Sequence, residues 1–203
     1  MKNILHIVVA ALSIATLSSC ATTSAPAASP QDVFFQRLTA LCGQSFAGRV
    51  VIDTPVPTAP DPFAGKPLVM HVRKCSDQEI RIPFHVGHDR SRTWVITRQP
   101  AALRLKHDHR HADGSSDAVT MYGGDTAAAG TAKRQEFPVD AESQTMFSRE
   151  VRMVSNTNVW AMEVEPAMSF VYELARPGGR MFRVEFDLTA AIAAPPPPWG
   201  AQD

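Results

Sequence analysis

The chain has no excess of charge of either sign: 20 lysines and arginines stand against 20 aspartates and glutamates. Binding to nucleic acid needs a surplus of cations to neutralise phosphates, so no nucleic-acid partner is expected. Long apolar runs are also missing. The longest, Ile4 to Leu17, falls short of the ~20 residues that span a bilayer. There is no nucleophile elbow, phosphate loop, dinucleotide fingerprint or helical zinc motif. No reaction can therefore be read from a motif, and a non-enzymatic role is favoured over an enzymatic one. Cysteine is scarce, with three in 203 residues.

The N-terminus, MKNILHIVVAALSIATLSSC, does carry information. A basic start, a short apolar run and small residues after it form the pattern of an export signal. The stretch Leu17-Ser18-Ser19-Cys20 resembles the lipobox of bacterial lipoproteins. That resemblance implies acylation of Cys20 and attachment to a lipid bilayer, each buried methylene adding about 0.8 kcal/mol. Ala21, where an aspartate would signal inner-membrane retention, implies the outer membrane, with the protein facing the periplasm. Residues 1–19 are then the signal peptide, and residues 20–30 the lipidated cysteine with a flexible tether, uncharged and holding two prolines. Residues 31–190 form the domain, and 191–203 a proline-rich tail whose Pro195–Pro198 run favours polyproline II.

Acylation of Cys20 leaves Cys42 and Cys75. An even remainder in an oxidising compartment points to a disulfide between them, the alternative being two buried free thiols. Nothing near either residue suggests an activated thiolate.

Within the domain, Val33, Phe34, Leu38 and Leu41 recur at helical spacing behind Ser29 and Pro30, which predicts a short N-terminal helix. Period-two alternation dominates after it. In EIRIPFHV, Ile80, Ile82, Phe84 and Val86 alternate with Glu79, Arg81, Pro83 and His85. In MFRVEFDL, Phe182, Val184, Phe186 and Leu188 face one way. Residues 123–135 read as a loop and 140–150 as a short helix. The whole predicts an all-β, mainly antiparallel domain of about eight or nine strands, either a meander barrel or a sandwich. It is similar to calycin-type barrels, the lipocalins, some of which are lipoproteins. Where those open with Gly-x-Trp, this chain reads Gly43-Gln-Ser-Phe46.

The candidate site is LKHDHRHADG, residues 105–114. On a strand, residues two apart share a face at about 6.6–6.8 Å. Leu103, Leu105, His107, His109 and His111 therefore form one row, and Arg104, Lys106, Asp108 and Arg110 form the other, expected to face solvent. Two readings follow for the inner row. In the first, Trp94, His107 and His109 line a pocket for a small, partly apolar ligand, with no cofactor, His107 having the firmest claim to the interior. In the second, His107 and His109 hold zinc with a further ligand such as His85; a third histidine on the same strand lies about 13 Å from the first, too far to join. A third expectation is a structural or interaction lipoprotein with a filled core. Glu163 and Glu165 alternate with Trp160, Met162 and Val164 and should face outward, which argues against a glycosidase pair.

Overall fold

Ser29 and Asp32 cap the first helix reciprocally, side chain to backbone in both directions, and Pro30 occupies the first turn. This helix, α1 (Pro30–Thr39), buries Phe34, Phe35 and Leu38. The structure is a computed structural model that describes residues 27–56, 58 and 60–201. The expected signal peptide, Cys20 and most of the tether lie outside the described residues. Among the described residues, no helix is long and apolar enough to cross a membrane.

Eleven strands follow: β1 (Ser45–Thr54), β2 (Leu68–His71), β3 (Lys74–Cys75), β4 (Glu79–Val86), β5 (Asp89–Gln99), β6 (Ala102–His109), β7 (Tyr122–Asp125), β8 (Arg134–Pro138), β9 (Val159–Glu165), β10 (Ser169–Arg176) and β11 (Arg180–Asp187). The helix α2 (Ala141–Arg149) and a 3-10 turn (Met153–Thr157) lie between β8 and β9. The sheet runs β7-β6-β5-β4-β2-β1-β11-β10-β9-β8, with β3 pairing only to β4. All pairings are antiparallel. The first and last strands pair, Gly48 opposite Phe186 and Val50 opposite Val184. The result is a nearly closed, ten-strand meander barrel rather than a sandwich, and closure removes the exposed edges of so long a sheet.

The one junction without a ladder lies between β7 and β8. There the Asp140 N–H donates to the Gly123 carbonyl at 2.9 Å. The Ser143 hydroxyl of α2 accepts from the Gly123 N–H at 2.8 Å and donates to its carbonyl at 3.2 Å. A side chain on Gly124 would sit 1.7 Å from the Pro138 oxygen, so only glycine permits this approach. Residues 123–135, expected as a loop, thus hold most of β7 and the start of β8. The strand count was low because β7 and β8 are short and contain glycine or proline, which erase the alternation signal. The predicted helix over 140–150 is α2, capped by Asp140.

Cys42 and Cys75 form a disulfide, Cα to Cα 6.2 Å, that ties the segment after α1 to β3. The outer row of β6 is not a solvent face. Lys106 is 7% exposed and donates to Asp140 at 2.8 Å and Glu142 at 2.9 Å, both at the start of α2. Asp108 is 8% exposed between Arg81 and Arg110. Burial of such charges requires partners, and each has them. Glu163 does lie on the outside, gripped with Glu173 by Arg134 and Arg183 at 2.7–3.0 Å.

The C-terminal tail is not free. Ile192 bridges to Ser45, the Trp199 N–H donates to the Arg90 carbonyl at 3.0 Å, and Arg90 donates to the Pro197 carbonyl at 2.8 Å. Between these anchors it crosses the outer face of the barrel.

Candidate functional site: the open mouth of the barrel

The two ends of the barrel differ. At one, α1 acts as a plug: Arg37 reaches the Val164 carbonyl, and Arg98 pairs with Asp32 while its guanidinium lies 4.1 Å from the Phe35 ring centre. The inward residues beneath it, such as Ile80, Ile96, Leu103 and Val164, are fully or almost fully buried. Among the described residues no helix covers the other end, and the inward rows change character as they reach it.

Alternation sets each of these side chains. On β5, Arg92 and Trp94 precede Ile96 on the inner face; on β6, His107 and His109 follow Leu105. Register pairs Trp94 with His107 and Arg92 with His109. On β10 the row runs Tyr172, Leu174, Arg176, and on β11 it runs Phe182, Arg180, with Leu174 opposite Phe182 and Arg176 opposite Arg180. Tyr122 of β7 lies opposite His107. These strands enclose a cavity of about 170 Å³, with Phe63 from the β1–β2 connection as its outer wall.

The floor is aromatic and polar at once. Trp94 stacks on Tyr172 (centroids 4.6 Å, 28°) and on Phe84 (4.9 Å, 14°), and His107 stacks on Tyr122 (4.6 Å, 12°). His107 Nδ1 lies 3.0 Å from the Tyr122 carbonyl, and Nε2 lies 2.8 Å from the Tyr172 hydroxyl. A carbonyl can only accept, so the proton sits on Nδ1, Nε2 accepts, and Tyr172 donates. Burial pushes His107 down to about 3, against the hydrogen bond to Tyr122. His109, half-buried, meets the Tyr122 hydroxyl through Nε2 at 3.1 Å. Burial, aided by the Arg92 charge, lowers it to about 4. Burial raises Tyr122 to about 12 and Tyr172 well above its ordinary value. At neutral pH the floor therefore carries no charge.

The charges sit at the rim. Arg92 pairs with Asp89 at 2.5 Å, and Arg180 pairs with Asp53. Both guanidiniums also lean on rings, Arg92 on Phe63 at 5.9 Å and Arg180 on Phe182 at 5.7 Å.

Trp94, His107 and His109 thus meet in one cavity. His85 does not join them. It belongs to the outer row of β4, with Arg81 and Pro83, the row opposite Ile82 and Phe84. It is 3% exposed, its Nε2 meets no hydrogen-bond partner among the described residues, and burial and the Arg90 charge lower it to about 4. The wall of the barrel separates it from His107, so the ligand set His107, His109 and His85 is not assembled. Both nitrogens of His107 are already engaged, and among the described residues no cluster of three or more His, Cys, Asp or Glu is placed to hold a metal. His111 lies exposed in the turn after β6.

Arg92, Arg180, Tyr122, Tyr172 and Phe63 are among the cavity residues that sequence reasoning missed. The inward alternation of β5, β10 and β11 points to Arg92, Tyr172 and Arg180. Only the closed barrel brings Phe63 and Tyr122 to the same place. A second, larger hollow of about 320 Å³ lies on the outer surface between the tail, at Pro198 and Trp199, and the Arg81–Asp108–Arg110 ion pairs. Its walls are polar and salt-linked, whereas the mouth offers a more apolar interior with a few convergent polar groups, the composition of a ligand site. The chain matches no family model, and no curated protein and no solved structure is found to be similar to it.

Proposed function

We propose that the chain is a membrane-anchored bacterial lipoprotein whose barrel binds a small, partly apolar molecule at its open mouth. The observation that carries this reading is the cavity between Trp94, His107, Tyr172 and Phe63. One end of the same barrel is packed solid under α1, so the space at the other is not a general looseness of the core. Sites that enclose a drug-sized ligand run to roughly 300–1,000 Å³; about 170 Å³ suits one or two rings or a short chain.

The anchor rests on the likeness of Leu17-Ser18-Ser19-Cys20 to a lipobox, and Ala21 after the cysteine favours the outer membrane and a domain in the periplasm. The Cys42–Cys75 disulfide is consistent with an oxidising compartment.

The test is a calorimetric titration of the purified chain with 1-naphthalenemethanol, a neutral two-ring probe, beside the Leu174→Trp variant, which narrows the cavity. The expected result is saturable one-site binding that the variant abolishes while remaining folded. Binding that is absent, or unaffected by Leu174→Trp, contradicts the reading. For the anchor, Cys20→Ala should release the protein from the membrane fraction; continued attachment refutes the lipoprotein assignment.

A further inference from the structure

We propose that the mouth selects an aromatic carboxylate, its ring inserted between the aromatic walls and its carboxylate held by Arg176 and Arg180 at the rim. This rests on the mouth being a binding site and goes on to name the chemistry of its ligand.

The inward rows of two neighbouring strands end in arginine. On β10 the row passes from Tyr172 and Leu174 to Arg176, and on β11 from Phe182 to Arg180. Register sets Arg176 and Arg180 opposite each other at the hairpin end. Two like charges on facing positions of an antiparallel pair repel, and the arrangement is destabilising unless an anion lies between them. Arg180 has Asp53 as its partner. Arg176 has no such partner: its Nε is buried, and among the described residues no acceptor meets it. A buried, unmet guanidinium N–H is a cost that a native fold seldom retains without a ligand, an ion or water to answer it. Burial first, and then the Arg180 charge, depress Arg176.

The surrounding charges leave the same balance. At the rim Arg92 is paired with Asp89 and Arg180 with Asp53, while Arg176 has no ion-pair partner among the described residues. His107 and His109 are neutral at pH 7 and His111 lies outside the cavity. One positive charge is left over. A carboxylate matches it in charge, and its planar pair of oxygens matches the fork of a guanidinium.

The body of the ligand follows from the walls. Phe63, Phe84, Trp94, Tyr122, Tyr172 and Phe182 all present rings to a space of about 170 Å³. Offset and edge-on ring contacts add to the gain from burial alone. A flat ring with a carboxylate one or two bonds away would place the first among these walls and the second at the rim.

The experiment compares 1-naphthoate with 1-naphthalenemethanol, nearly equal in shape and differing in charge, by calorimetry on the purified chain. The acid should bind about tenfold or more tighter than the alcohol, the scale of a charge-assisted hydrogen bond. Arg176→Gln should erase that advantage and leave the alcohol unchanged. This variant breaks no ion pair among the described residues, so its folding, checked by circular dichroism, is not at stake; Arg180→Gln, which strands Asp53, is the second variant. Equal binding of acid and alcohol, or an advantage that survives both variants, overturns the anion selectivity while leaving an apolar site in place. Binding of neither compound overturns the selectivity and the binding reading together.

Discussion

The plugged end and the open end of this barrel are built from the same strands, yet they are finished in opposite ways. Under α1 the inward rows close with Ile80, Ile96, Leu103 and Val164, and Phe34, Phe35 and Leu38 complete the packing from above. At the mouth the same rows close with arginine, histidine and tyrosine, and a cavity remains. The difference assigns labour. Burial at the plugged end stabilises the barrel at about 25 cal/mol per Å² of apolar surface, while the mouth keeps polar groups inside and forgoes packing, which proteins tolerate mainly where the groups have work to do.

The sharpest way to break this comparison is to empty the plug. Phe34→Ala removes a fully buried ring and should cost about 3–5 kcal/mol in urea unfolding. A loss under about 1 kcal/mol would mean that α1 is a loosely attached cover. Next comes the disulfide at the same end. Replacing Cys42 and Cys75 by serine opens a closure spanning 33 positions and should cost about 3–4 kcal/mol by loop entropy. An unchanged midpoint would show that α1 and β3 hold each other without it.

The third test concerns pH. His107 and His109 at the mouth, and His85 on the outer face, have folded values of about 3, 4 and 4, depressed by burial below the ordinary 6.5. A group depressed on folding stabilises the folded state fully above its unfolded value and loses that contribution as pH falls toward the folded one. Stability should therefore be level above pH 6.5 and decline from there to about pH 4, with the His107 contribution still falling to about pH 3. Paired carboxylates such as Asp32, held down by hydrogen bonds from Ser29 and Arg98, titrate below that window. His109→Asn should flatten part of the decline; a decline that begins only below pH 4 would contradict the burial of these rings.

The smallest expected effect sharpens the comparison most. Leu174→Trp enlarges a side chain beside the cavity and should change stability by less than about 1 kcal/mol. Val164→Phe under the plug, where no space exists, should cost about 1–3 kcal/mol through overpacking. Equal penalties at the two ends would mean that the mouth is as tightly packed as the plug.

Much of the fold was legible because alternation is a direct readout of the inner and outer faces. The rows Ile80–Val86 and Phe182–Leu188 were clear, as were the capped α1 and the strand His107 occupies. The short strands β7 and β8 were not, because glycine and proline at Gly123, Gly124 and Pro138 serve a junction visible only once the barrel closes. The site was legible in part. Trp94, His107 and His109 follow from alternation, and the same rule, carried through β4, puts His85 outside. Arg176 and Arg180 obey it too, but an arginine beside a Pro-Gly-Gly turn reads as a solvated one. That Lys106 and Asp108 are buried could not be read at all, since α2 and the tail that cover them are distant in sequence.

The most direct test of the mouth as the binding site uses the chain's three tryptophans as reporters. Trp94 lines the cavity, Trp160 lies against His107 and Tyr122 deeper in the barrel, and Trp199 sits on the outer surface with the tail. In an NMR titration with 1-naphthoate, the Trp94 indole N–H should shift most and saturably, Trp160 less, and Trp199 not at all. A saturable shift at Trp199 with Trp94 unmoved, or no saturable shift at any of the three, would contradict it.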